Sequence, residues 1–144
     1  MLQPDDVNST VILHLQAAFP HVALLPGGFW SVGRGTARVF IRVEHRLTGS
    51  IVRLTCPVVS GAAASLELFE YVATHADDFV FGHLSCERAD DDAVTVFLSH
   101  VLLGNHLQEQ ELTAAVAGVL DSADQIDGRL AARFDGREFR SPDG

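Results

Sequence analysis

Arg38, Arg42 and Arg46 recur at every fourth residue of one stretch, and Arg53 follows in the next. Phe40 stands among them, while Trp30, Phe81 and Phe97 occupy neighbouring stretches of strand-like pattern. A guanidinium meets a carboxylate through a planar fork of N–H donors, and an aromatic face accepts cations and apolar groups. A surface that carries both suits an acidic or amphipathic protein segment. The alternative is decoration. Residues four apart on a strand are separated by about 13 Å, beyond the Debye length of about 8 Å at physiological salt. Such arginines repel little and cost little to keep.

Other chemistries find no support. Seven histidines and many serines are scattered without a GxSxG elbow, and neither Cys56 nor Cys86 sits in the context of an activated thiol. Both cysteines lie in apolar strand patterns and read as reduced, buried thiols. His100 and His106 are six apart, and no HxxxH, HExxH or CxxC occurs, so no metal ligand set emerges. Asp90-Asp91-Asp92 lacks the spaced ligands of a calcium loop and reads as a charged hairpin tip. Pro26-Gly27-Gly28 and Gly33-Arg34-Gly35 are hairpin corners, since neither opens a helix that could point amides at a phosphate. Asp127, on the apolar arc of the last helix, reads as a structural carboxylate paired with an arginine. No catalytic residue, cofactor or enzyme activity is implied.

The elements that would position the arginine and aromatic surface follow from periodicity. Pro4 to Phe19 is expected to be a helix, with Val7, Val11, Leu15 and Ala18 as its apolar stripe. Val22 to Leu25 and Phe29 to Val32 are short strands. From Ala37 the alternation is regular: Ala37, Val39, Ile41 and Val43 point inward, and Arg38, Phe40, Arg42 and Glu44 outward. After the Thr48-Gly49-Ser50 turn, Ile51 to Val59 sets Val52, Leu54, Cys56 and Val58 inward, with Arg53 and Thr55 outward. Ser60-Gly61 is expected to end that strand. A second helix is expected over Ala62 to Ala76, with Leu66, Phe69, Val72, Ala73 and Ala76 as its stripe. Strands over Phe79 to Arg88 and Val94 to Leu103 place Val80, Leu84, Cys86, Val94, Val96, Leu98 and Leu102 inward, leaving Phe81 and Phe97 outward. A long helix within Glu109 to Phe134 carries Leu112, Val116, Val119, Ala123, Ile126, Leu130 and Phe134 on one arc. This is an α+β fold: an antiparallel sheet of about five strands with helices on one face, in the order α-β-β-β-α-β-β-α.

At 144 residues the chain is expected to be one domain over 1–136, with a flexible polar tail at 137–144. With 47% hydrophobic and 20% charged residues a full core is within reach. The net charge of −9 argues against a nucleic-acid partner. No apolar run is long enough for a membrane span, and the acidic N-terminus does not read as a secretory signal, which makes the cytoplasm the expected location.

The stretch Leu68-Phe69-Glu70-Tyr71-Val72, then Phe81-Gly82, Leu102-Leu103-Gly104, Glu111-Leu112 and the ending Asp124, Asp127, Leu130, Phe134 and Gly136 resemble the YbjN-like domains that share the fold of type III secretion chaperones, in particular their actinobacterial members. The resemblance implies a cofactor-free domain, often dimeric, that binds peptide segments in grooves or at sheet edges. The expectation is a non-enzymatic, chaperone-like homodimer holding a protein or peptide client against its outer sheet face. Trp30, Arg38, Phe40, Arg42, Arg53, Phe81 and Phe97 are the candidate contacts. The rival expectation is a structural or regulatory dimerisation module that docks one folded partner without capturing peptide.

Overall fold

Alternation of apolar and polar side chains over Ala37–Arg46 and Gly49–Ala63 builds the two strands at the centre of the sheet, β3 and β4. The structure is a computed structural model and describes residues 4–89 and 91–138. Around that pair the chain runs α1 (Pro4–Ala18), β1 (Ala23–Leu25), β2 (Phe29–Arg34), β3, β4, α2 (Leu66–His75), β5 (His83–Arg88), β6 (Ala93–Leu103), α3 (Glu109–Arg133) and β7 (Arg137–Glu138). All pairings are antiparallel, in the order β1-β2-β3-β4-β6-β5, with β7 joining β4 off that path. The architecture is the expected α+β sheet with helices, with seven strands where about five were expected, the short β7 being one that the periodicity did not show.

The helices lie on one side. Val39, Ile41, Val52, Leu54, Cys56, Val94, Val96 and Leu98 are buried from the sheet. Val7, Val11 and Leu15 of α1 and Leu112, Val116, Val119, Ile126 and Leu130 of α3 are buried from the roof. Each large side chain so enclosed contributes roughly 1.5–3 kcal/mol relative to leaving it in water, which is why the long stripe of α3 dominates the core. α2 packs at the margin, against β5.

Several expectations need correction. β4 does not stop at Ser60-Gly61: it stays paired with β6 as far as Ala63↔Ala93, through register shifts between Pro57 and Ala62. α2 therefore begins late, where the Ser65 hydroxyl caps it by accepting the Leu68 N–H at 3.1 Å. Its buried residues are Leu68 and Val72, with Leu66 and Ala73 exposed, so its stripe is rotated from the expected one. At β5 the strand begins at His83, not Phe79, and Val80 is 90% exposed on the connecting turn. Finally, the expected tail opens as a strand, Arg137 and Glu138 pairing with Ser60 and Val59, while 139–144 lie outside the described residues. Asp90 of the acidic hairpin also lies outside them; Asp91 caps the turn by accepting the Ala93 N–H.

Candidate binding face

Because side chains alternate across a strand, burying Val39 and Ile41 under the helices sends Arg38, Phe40, Arg42, Glu44 and Arg46 to the uncovered face. Register then decides their neighbours. Arg42 stands directly opposite Arg53, and Phe40 opposite Thr55. Like charges directly opposed on a sheet destabilise it, and the sequence spacing along one strand gives no hint of this cross-strand approach.

Glu44 resolves it. Its carboxylate accepts from Arg42 Nη2 at 2.5 Å, from Arg53 Nε at 3.0 Å and from Arg46 Nη2 at 3.1 Å. The Glu44 side chain is only 15% exposed. Burial by itself pushes its carboxyl up. Hydrogen bonds from Arg42, Arg53 and Arg46, together with the Arg53 charge, outweigh that and hold it below the usual glutamate value. Arg42 is further fixed by its guanidinium lying over the Phe29 ring, 5.1 Å from the centroid. Arg38 belongs elsewhere: its Nη1 donates to the buried Ser31 hydroxyl at 3.0 Å and ties β3 to β2.

Beside the arginines is an apolar strip. Val101 is opposite Arg53, Leu103 opposite Ile51, and Phe97 opposite Pro57. Leu103 is 77% exposed and Val101 is also exposed, whereas Phe97 and Phe40 are half-buried. Two of the residues expected here are absent from the face. Trp30 pairs with Ile41, shares its inward direction and is buried in the core. The short β2 carries too few residues for its phase to be read without a partner strand. Phe81 lies under the roof: it packs on the core, meets the His100 ring edge-on at 5.7 Å, and rests against Gly118 of α3, where any Cβ would collide with it. With Phe79 to Gly82 folded as a turn, strand alternation does not apply to it. The face therefore assembles Arg38, Phe40, Arg42, Arg53 and Phe97 of the expected set. It adds Phe29, Glu44, Arg46, Ile51, Val101 and Leu103. Glu44 was legible as the one acid in register between Arg42 and Arg46, and Val101 and Leu103 from the parity that turned Leu102 inward.

Away from this face the polar chemistry is structural. Thr36 donates its hydroxyl to Asp124 at 2.8 Å and to Asp127, and its N–H to Asp124 at 3.0 Å. Arg34 pairs with Asp121 at 2.7 Å. Asp127 is thus held by a threonine, not by the expected arginine. Backbone and side-chain hydrogen bonds from Thr36 hold the Asp124 carboxyl below its ordinary range. Gly35, at φ +59 with Asp124 Oδ1 within 2.5 Å of where a Cβ would stand, lets the β2–β3 turn approach α3. Burial pushes the Cys56 thiol up to about 12, so it is protonated at neutral pH. No cluster of three or more metal-ligating side chains occurs among the described residues, and no helix among them is long and apolar enough to cross a membrane.

A family model described as TY-Chap1, "T3SS (YopN, CesT) and YbjN peptide-binding chaperone 1", matches residues 5–142. The ExsC–ExsE complex contains a chain of similar fold, with a TM-score of 0.62 at 19% identity over 89% of this chain and 96% of that one. No curated protein matches the sequence.

Proposed function

The chain belongs to the T3SS and YbjN peptide-binding chaperone family. From that premise we propose that it is a non-enzymatic, cytoplasmic, chaperone-like protein that holds a peptide or protein segment against its outer sheet face, acting as a homodimer. The observation that carries this reading is the asymmetry of the sheet. Helices cover one side, while on the other β3 and β4 present Arg42, Arg46 and Arg53 against the single carboxylate of Glu44, next to Val101 and Leu103. Side chains of that kind grip an acidic or amphipathic segment without any reacting group. Arg42, Arg53 and Arg46 would meet its acids, and Val101, Leu103, Phe97 and Phe40 its apolar groups. That the similarly folded ExsC occurs in a complex with ExsE is in keeping with a protein partner.

The test is site-resolved. A photo-crosslinking residue placed at Val101 is expected to capture the client from native extract, and the same residue at the exposed Arg129 of α3 is expected not to. Equal capture at both positions removes the outer face as the binding surface. A second reading, docking of one folded partner through α2, draws on the exposed Leu66 at the start of that helix and Val80 just after it. Leu66 opens the helix and Val80 lies five residues beyond its end at His75, so the two form no continuous patch. Crosslinks from the α2 surface in place of position 101 would favour that reading.

A further inference from the structure

The three guanidinium groups gathered on Glu44 are not held equally. Arg42 is clamped between its 2.5 Å contact with the carboxylate and the Phe29 ring, and its Nε is buried without a hydrogen-bond partner. Arg53 and Arg46 reach the opposite oxygen, Oε2, at 3.0 and 3.1 Å, each through one nitrogen. A guanidinium carries five N–H donors and binds a carboxylate best through two parallel bonds. Glu44 offers neither of these arginines that geometry. Three positive charges meet one negative one, so the cluster keeps an excess of positive charge on a chain whose net charge is −9.

We propose that Glu44 stands in for a client's carboxylate: it parks Arg53 and Arg46 in the free protein and releases them to an acidic side chain of the bound segment, while Arg42 stays with Glu44. This deepens the outer-face reading given above and rests on it. The partner this chemistry fits is an extended segment with a glutamate or aspartate and an apolar residue two positions away. That spacing, about 7 Å along a strand, matches the step from the Arg53–Val101 row to the Ile51–Leu103 row. A second copy of this chain, laid face to face, would set arginine against arginine. A segment of opposite charge meets no such penalty. Exchange costs little because Glu44 keeps one cation throughout, and the incoming carboxylate gains the two-point geometry that Glu44 cannot supply.

The experiment uses the whole chain and two fluorescent peptides of alternating apolar and glutamate residues, the second with glutamine at every glutamate. Glu44→Gln is expected to tighten the glutamate peptide about tenfold, the scale of one charge-assisted hydrogen bond, and to leave the glutamine peptide within about twofold, a span too small to count as one. Unchanged or weaker binding of the glutamate peptide to the variant overturns the exchange and leaves the outer-face reading intact. Failure of both peptides to bind the wild type and Glu44→Gln alike overturns the exchange, and the crosslinking pattern then decides the outer-face reading separately. Because Glu44→Gln leaves three arginines together and could perturb the sheet, a second measurement uses the wild type. Nitrogen NMR of Arg53 Nε–H is expected to shift on adding the glutamate peptide, with Arg42 unmoved. No shift at Arg53 in the bound state sinks the proposal.

Discussion

At the scale of single residues, Glu44 decides whether the outer face is a stable part of the sheet or a cluster of repelling cations. Its carboxyl titrates below its ordinary value of 4.5, since the three arginine hydrogen bonds outweigh its burial. A carboxyl whose folded value is depressed adds stability above its unfolded value and loses it as pH falls through the folded one. The stabilising contribution of Glu44 is therefore fully present at neutral pH and disappears in acid. Thermal melts of the wild type and Glu44→Gln are expected to differ most at pH 7 and to converge as pH drops below 4.5. A gap that stays constant to strongly acidic pH would mean that the arginines do not depend on the ionised carboxylate. Arg38 shows the opposite use of the same side chain. Committed to the buried Ser31 hydroxyl, it is expected to matter for the β2–β3 pairing more than for a client.

Among the elements, the β2–β3 turn is tied to α3 by a polar contact at the margin of the buried roof. Thr36 supplies it, with its hydroxyl shared between Asp124 and the buried Asp127. Thr36→Val keeps the shape and removes the donor, leaving a buried carboxylate short of a partner, which costs roughly 1–3 kcal/mol. For a domain near this size that is a fall in Tm of several degrees, readable by calorimetry, with Thr36→Ser expected to recover most of it. The sequence disclosed α3 almost completely, because a twenty-five-residue amphipathic stripe repeats its signal many times. β3, β6 and the part of β4 before Ser60 were legible for the same reason: each alternates over several residues against a buried partner. The phase of α2 and the lead into β5 were not. In α2 the apolar residues Leu66, Leu68, Phe69 and Val72 admit two phases, and only the Ser65 cap and the prolonged pairing of β4 with β6 select one. Trp30 and Phe81 failed similarly, since register and a turn, not local pattern, aim them at the core. The arginine cluster was half visible. Its members alternate along β3, but the approach of Arg42 to Arg53 is set by the β3–β4 register, which no single stretch records.

For the molecule as a whole, two electrostatic ranges oppose each other. The chain carries −9, so an acidic segment is repelled at distance, yet the outer face offers it excess positive charge at contact. Ionic strength separates the two, because the Debye length falls from about 30 Å at 0.01 M to about 10 Å at 0.1 M and about 3 Å at 1 M. Moving from the first condition to the second screens the repulsion from remote carboxylates while leaving contacts of about 3 Å, well inside the Debye length, largely untouched. Moving to the third weakens the contacts as well. Affinity for the glutamate peptide is therefore expected to rise and then fall with salt, with its maximum near about 0.1 M, where screening has removed the first term but not the second. The glutamine peptide, lacking charge, should follow no such curve. Fluorescence anisotropy across the three salt concentrations measures both. A steady decline from the lowest salt upward would mean that the local arginine field dominates at every distance and that the global charge has no part in admitting the client. A maximum at intermediate salt would mean that distance from the acidic surface selects which segments arrive and the arginine cluster selects which of them stay.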